Sequence, residues 1–172
     1  MNTLKPEDNQ IGFMSTSFGI FKINANINGL NKIQYFEKKQ KLRIPLKYNN
    51  YNNIVKKTIK QLQEYFSGTR IDFSIPINLN SSPFYKKVLL QVLEIPYGEK
   101  TSYKSIAKIC GNQNANRAVG TANSTNPIPI IIPCHRVIPS NNSIGKYRYG
   151  IELKKRLLEQ EGHSFDDNLF FI

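Results

Sequence analysis

Cysteine is scarce in this chain: two in 172 residues, with only two histidines beside them. Two thiols cannot build a disulfide framework, and their scarcity fits a reducing compartment. A structural zinc site takes about four Cys or His ligands. It would consume Cys110, Cys134, His135 and His163 together, so no metal and no cofactor are expected. Long apolar runs are missing as well. No segment approaches the roughly 20 apolar residues of a membrane-spanning helix, and the polar stretch Met1 to Gln10 lacks the apolar centre of a secretion signal. The expected location is the cytoplasm, or the nucleus if the source is a eukaryote, with no membrane partner. Acidic side chains are few, 12 against 24 basic ones, for a net charge of +12. Such an excess suits a polyanionic partner, nucleic acid before an anionic membrane. Both halves of the chain share it, so charge alone does not locate a binding face.

What is present reads as two domains, 1–77 and 83–172, joined by the polar stretch Asn78 to Ser82. From Ile11 to Glu37 the pattern is β-like, with Asn28-Gly29 as a hairpin signal between Phe18 to Ile23 and Lys32 to Phe36. A polar stretch, Lys38 to Asn53, follows. Ile54, Thr58, Ile59, Leu62, Tyr65 and Phe66 recur at helical spacing, and Gly68 stops the helix. Alternation of Ile71, Phe73 and Ile75 predicts a further strand ending at Pro76. In the second domain, Val88, Leu89, Val92 and Leu93 form the stripe of a helix that Pro96-Tyr97-Gly98 breaks. Thr101 or Ser102 can cap a helix from Tyr103 to Cys110, ended by Gly111. A helix from Asn114 to Ala122 follows, so the pair has a helix-turn-helix pattern. The last helix runs from Ile151 to Glu161 on Leu153, Leu157 and Leu158, and the final ten residues look loosely attached.

The chemistry concentrates in Pro133-Cys134-His135-Arg136-Val137, at the end of the apolar run Ile128 to Ile132. A lone cysteine in an apolar run is more often a buried small hydrophobe than a nucleophile, and Cys110 reads that way. Cys134 differs. It ends its run, has an imidazole and a guanidinium next to it, and precedes the polar loop Pro139 to Gly145. A thiol becomes a strong nucleophile once a base makes it a thiolate. In a strand-like segment neighbouring side chains point to opposite faces, so direct contact between Cys134 and His135 is not guaranteed, and a bridging water would solve the geometry. A carboxylate must also orient the imidazole. Glu152, Glu159 and Glu161 are all candidates by position.

Arg117-Ala118-Val119-Gly120, Asn126-Pro127-Ile128-Pro129-Ile130, Ile132-Pro133-Cys134-His135-Arg136-Val137 and Gly145-Lys146-Tyr147-Arg148 together resemble the signature of the O6-alkylguanine-DNA alkyltransferases. The resemblance covers about residues 83–162, with a weaker likeness around Gln63 to Gly68. It implies an α/β, ribonuclease-H-like N-terminal domain. It also implies a mainly α C-terminal domain with a winged helix-turn-helix-like motif that enters the minor groove of double-stranded DNA. The implied activity is a single, irreversible transfer of a methyl or alkyl group from O6 of guanine, and from O4 of thymine, to Cys134 of a monomer, after base flipping. His135 would take the thiol proton through a water, and Glu161 would orient it. Tyr103 would protonate the leaving guanine, and Asn126 would brace the cysteine turn. Arg117 would fill the gap left by the extruded base, with Ala118 and Gly120 on the same helix. The carbonyls of Cys134 and Val137 and the N–H of Arg148 would read the base. Tyr147 and Tyr149 would wall its pocket, with Tyr149 narrowing it, and Lys146 could add a phosphate contact. Arg136 would be structural. A non-catalytic lesion binder, a cysteine hydrolase and a plain helix-turn-helix regulator are the competing readings. The first conflicts with the presence of Cys134. The second leaves Arg117 and the basic charge without a role, and the third leaves the Cys-His pair without one.

Overall fold

The structure is a computed structural model that describes residues 9–40 and 52–172. Most of the polar stretch Lys38 to Asn53 therefore lies outside the described residues, as do residues 1–8. The chain divides into two compact units, Met1–Asn80 and Ser81–Ile172.

The first unit is a three-stranded antiparallel sheet carrying one helix. Strands β1 (Gln10–Ser15), β2 (Ile20–Asn26) and β3 (Gly29–Phe36) pair in the order β1-β2-β3. Alternation in β2 sends Phe21, Ile23 and Ala25 to the buried face, as a period of two requires. Helix α1 (Asn53–Phe66) covers that face with Val55, Thr58, Leu62 and Tyr65. In the first turn Val55 is the buried residue, and Ile54, expected on the stripe, is only partly buried. Asn52 caps it by accepting from the Val55 N–H at 2.8 Å. At its C-terminus, Gly68 adopts φ +76°. There the Thr69 N–H reaches back to the Glu64 carbonyl and the Gly68 N–H to that of Tyr65, the paired closure a left-handed residue permits.

Two expectations change in this unit. The β2–β3 turn is built from Ile27 and Asn28, with Asn26 opposite Gly29, one residue earlier than Asn28-Gly29 suggests. Gly29 is needed for close approach: a Cβ there would lie 2.8 Å from the Pro76 carbonyl oxygen. The alternating segment Ile71 to Ile75 is not a strand. The Ser74 N–H donates to the Gln61 side chain, Pro76 has no N–H, and only the Leu30–Ile77 bridge joins the segment to the sheet.

The second unit packs helices α2 (Pro83–Leu93), α3 (Tyr103–Ile109), α4 (Asn116–Ser124) and α5 (Ile151–Gln160) around the cysteine segment. Pro83 opens α2, where its missing N–H costs nothing. Small residues bring α3 and α4 together: Ala107, Val119 and Ala122 are fully buried. Gly111 at φ +87° closes α3, and the Asn112 turn delays α4 to Asn116, two residues beyond the expected start. Two-residue strands β4 (Thr101–Ser102) and β5 (Val137–Ile138) pair in parallel. No local pattern announced them.

The C-terminal ten residues are not loose. Phe171 packs with Ile138, Ile144 and Leu158. Bridges join Ser143 to Phe170 and Phe165 to Phe171. The loop Pro139 to Gly145 is thereby tied down, contrary to its polar composition. The apolar payload of Phe165, Leu169 and Phe171 drives this, and its spacing follows neither the helical nor the strand period.

Candidate active site

The cysteine segment is held by an asparagine and a strained residue. The Asn126 amide donates to the Ile132 carbonyl at 2.8 Å and to the Cys134 sulfur at 3.1 Å. Its oxygen accepts from the Ile128 N–H at 2.9 Å. Between these contacts Ile130 sits at φ +75°, a left-handed conformation costing a β-branched residue about 1–2 kcal/mol. Burial of the whole run Ile128 to Ile132 offsets that cost.

Cys134, His135 and Arg136 form a single 3-10 turn, not the strand-like segment expected. The Asn126 brace and the Arg136 N–H to Pro133 carbonyl bond impose the turn. His135 is completely buried, and its Nε2 lies 2.9 Å from Glu161 Oε1. Arg136 clamps the same carboxylate, with Nε 2.8 Å from Oε2 and Nη2 2.9 Å from Oε1. Its Nη1 donates to the Ile95 carbonyl at 2.5 Å. Arg136 thus ties the end of α2 to the end of α5. Of the three glutamates open by position, Glu161 is the one that meets His135. Glu152 and Glu159 are exposed, and Glu159 lies 3.7 Å from Lys155.

These contacts set the protonation states. Burial opposes ionisation of Glu161, yet the hydrogen bonds and charges of His135 and Arg136 hold its carboxyl far below the usual range. It is a carboxylate and accepts only, so the proton of neutral His135 sits on Nε2. Burial pushes the His135 imidazole below its ordinary value, with Glu161 pulling the other way. Nδ1 therefore carries the lone pair, and it has no hydrogen-bond partner among the described residues. Burial also pushes the Cys134 thiol up, against the opposing influence of Asn126, Tyr147 and Lys154. At rest the pair is a thiol and a neutral imidazole.

A cavity of about 330 Å³ opens at the sulfur. Tyr103 from α3, Gly120, Asn123 and Ser124 from α4, and Lys146, Tyr147 and Arg148 from the loop before α5 line it with Cys134. The β4–β5 pairing sets Tyr103 there, next to Ser102, which caps α3 by accepting from the Ser105 N–H at 3.0 Å. Burial and the neighbouring Cys134 raise the Tyr103 hydroxyl above its ordinary value, so it keeps its proton. Arg148 Nη1 donates to the Ser124 carbonyl, closing the wall.

Four of the expected substrate- or DNA-binding residues do not line this cavity. Arg117 is exposed on α4, with Ala118 half-buried beside it. Val137 is buried and its carbonyl accepts from Lys154 at 2.9 Å. Tyr149 packs edge-on against Tyr147, ring centres 5.8 Å apart, with the Arg148 guanidinium 5.7 Å over its ring. Its ring thus touches two residues of the lining, Tyr147 and Arg148. Sequence reasoning missed Asn123, Ser124 and Lys154. For Lys154 a signal existed: it lies three and four residues before Leu157 and Leu158, at a core position of α5.

Comparison with known proteins places relatives beside this chain. The model of the 6-O-methylguanine DNA methyltransferase DNA-binding domain matches residues 83–163. A methylated-DNA–protein-cysteine methyltransferase of Methanosarcina acetivorans is 39% identical over 134 residues, 78% of this chain and 86% of the relative. The crystal structure of Mycobacterium tuberculosis O6-methylguanine methyltransferase aligns with a TM-score of 0.74 at 30% identity, over 90% of this chain and 93% of that one. A structure of Mycobacterium tuberculosis OGT in complex with DNA aligns equally well, at 34% identity over 87% and 90% of the two chains.

Proposed function

Since the chain belongs to the O6-methylguanine-DNA methyltransferase family, we propose that its buried Cys134, His135 and Glu161 form the alkyl-acceptor relay of a single-use repair protein. The protein is a methylated-DNA–protein-cysteine methyltransferase: it reverses DNA damage directly by moving an alkyl group from O6 of guanine to a cysteine. The observation that carries the residue assignment is the Glu161 carboxylate, which fixes the Nε2–H tautomer of His135 and leaves Nδ1 as a lone pair within the cysteine turn.

In this reading, the flipped nucleotide enters the cavity between Tyr103 and Tyr147, as chemistry on a stacked base requires. His135 Nδ1 receives the Cys134 proton through a water. The sulfur attacks the methyl carbon, the S–C bond forms, and the C–O6 bond breaks with its electron pair left on guanine. Tyr103 supplies a proton to the departing base, and the thiol proton makes good that loss by way of His135. The products are a thioether and guanine. Water displaces a thiolate from an sp3 carbon slowly, so one molecule repairs one lesion.

The finer assignments belong to the same proposal. The second unit is a winged helix-turn-helix-like module in which α4 enters the minor groove of double-stranded DNA and Arg117 fills the vacated stack. The first is a ribonuclease-H-like support. The protein works as a monomer, in the cytoplasm or at the chromosome, and O4-alkylthymine is a second substrate.

Intact mass after mixing with duplex DNA carrying one O6-methylguanine tests the relay, with Cys134→Ala as the control. The expected result is a stoichiometric gain of one methyl group, absent from the control. Lesion binding without a mass gain would make the protein a sensor and sink the proposal.

A further inference from the structure

Lys154 is the only fully buried lysine among the described residues, and the relay above does not use it. It projects from α5 into the space behind the cysteine turn, where its ammonium donates to the Val137 carbonyl at 2.9 Å. No carboxylate pairs with it among the described residues. The one buried carboxylate nearby, Glu161, is already shared by Arg136 and His135. Burying an ammonium without an anion is strongly unfavourable. Burial accordingly lowers it to about 8, which still leaves it charged at neutral pH.

The charges in this cluster do not balance at rest. Glu161 contributes one negative charge, Arg136 and Lys154 one positive charge each, while Cys134 and His135 are neutral. The excess positive charge is compensated when the Cys134 sulfur becomes an anion, and Lys154 is coupled electrostatically to that sulfur. The same charge discourages a proton from settling on His135, so it favours the relay passing its proton onward.

We propose that Lys154 is the charge partner of the Cys134 thiolate, a cation buried in advance for an anion that exists only during attack, and left uncompensated once the sulfur is a thioether. This rests on Cys134 being the alkyl acceptor. Lys154 acts through its charge and is a positioning residue. The plainer alternative is a strut that holds the Val137 carbonyl.

The pH profile of Cys134 alkylation by iodoacetamide separates the two. It is read from the mass of the Cys134 peptide, so that Cys110 does not interfere. Tyr103 from α3, Tyr147 and Tyr149 from the preceding loop, His135 and Arg136 beside the sulfur, and Glu161 at the end of α5 also face this site. They are the same in every variant. Lys154→Gln keeps a donor for Val137 and removes the charge, and Lys154→Arg keeps the charge. The expected result for Lys154→Gln is a midpoint about one unit higher. Its rate at pH 7 is then about tenfold lower and converges with wild type at high pH, while Lys154→Arg stays near wild type. An unchanged midpoint, whether the rate is unaltered or uniformly lower, overturns the proposal.

If Lys154→Gln fails to fold, wild type carries the test by nuclear magnetic resonance of the Lys154 ammonium. Methylating Cys134 should lower the Lys154 midpoint, because the thiolate–ammonium pair that can form as the pH rises is no longer possible, and an unchanged midpoint overturns the proposal. Iodoacetamide needs no DNA, so a negative result here leaves the alkyl-acceptor reading intact. A missing mass gain from lesion DNA would sink that reading without altering the thiol titration.

Discussion

At the scale of single residues, Glu161 carries two obligations. It orients the base of the relay, and it neutralises the guanidinium of Arg136, which is buried with it. Glu161→Gln should keep a hydrogen bond to His135 yet leave Arg136 without its anion. Removing one partner of a buried pair costs about 3–5 kcal/mol, so urea unfolding should show a loss of that size. Methyl transfer should fall as well, because a neutral amide no longer fixes the tautomer. Full stability with lost transfer would mean that Arg136 finds its counter-charge elsewhere. The sequence made the nucleophile legible at this scale, because Cys134 and His135 stand together where an apolar run stops. The carboxylate was not legible from position, since three glutamates share α5 and its end. Lys154 is hard to read from sequence, because lysine is almost never fully buried without a partner. Its place on the Leu157–Leu158 stripe would have justified the opposite reading.

At the scale of elements, two glycines with left-handed backbones separate conformational strain from crowding. A Cβ at Gly111, φ +87°, would meet nothing within 4 Å. Gly111→Ala should therefore cost about 1 kcal/mol, from strain alone. At Gly145, φ +67°, a Cβ would lie 2.6 Å from the Pro139 ring. Gly145→Ala must also move the loop that carries Lys146, Tyr147 and Arg148. It should cost more in thermal unfolding than Gly111→Ala, and it should slow methyl transfer while Gly111→Ala leaves it unchanged. Equal losses in both assays would show that the loop shifts freely, despite its bridges to Phe170 and Leu169. Helices α1 and α3 were readable because their apolar spacing agrees with Gly68 and Gly111, which end them. The β4–β5 pair was not, since two-residue strands 36 positions apart have no period to detect. Ile71 to Ile75 misled in the other direction: its alternation is real, but Gln61 takes the N–H of Ser74, and the segment forms no ladder.

For the whole molecule, the two lowered histidines, one buried and one half-buried, and the state of Glu161 make acid the weak side. Folding lowers His135 and His163 below their ordinary 6.5, mainly through burial. The unfolded chain then binds more protons than the folded one once the pH falls below that value, and stability must decline from there. Glu161, held below its ordinary carboxylate value, adds a second loss as the pH drops through the unfolded range near 4.5. Lys154 works in the alkaline direction. Its ammonium is lowered to about 8, so its burial destabilises the fold below that value, and stability recovers as the pH rises from about 8 towards the ordinary 10.5. The raised thiols of Cys110 and Cys134 oppose that recovery above their ordinary 9. Urea midpoints measured across pH 4 to 9 should therefore fall steadily below 6.5 and show no comparable loss between 7 and 8.5. Replacing His163, whose imidazole packs edge-on against Phe171 at 5.2 Å, with Gln should flatten the first part of the decline. It should leave the loss near 4.5 in place, because that part belongs to the carboxylate at the centre of the site.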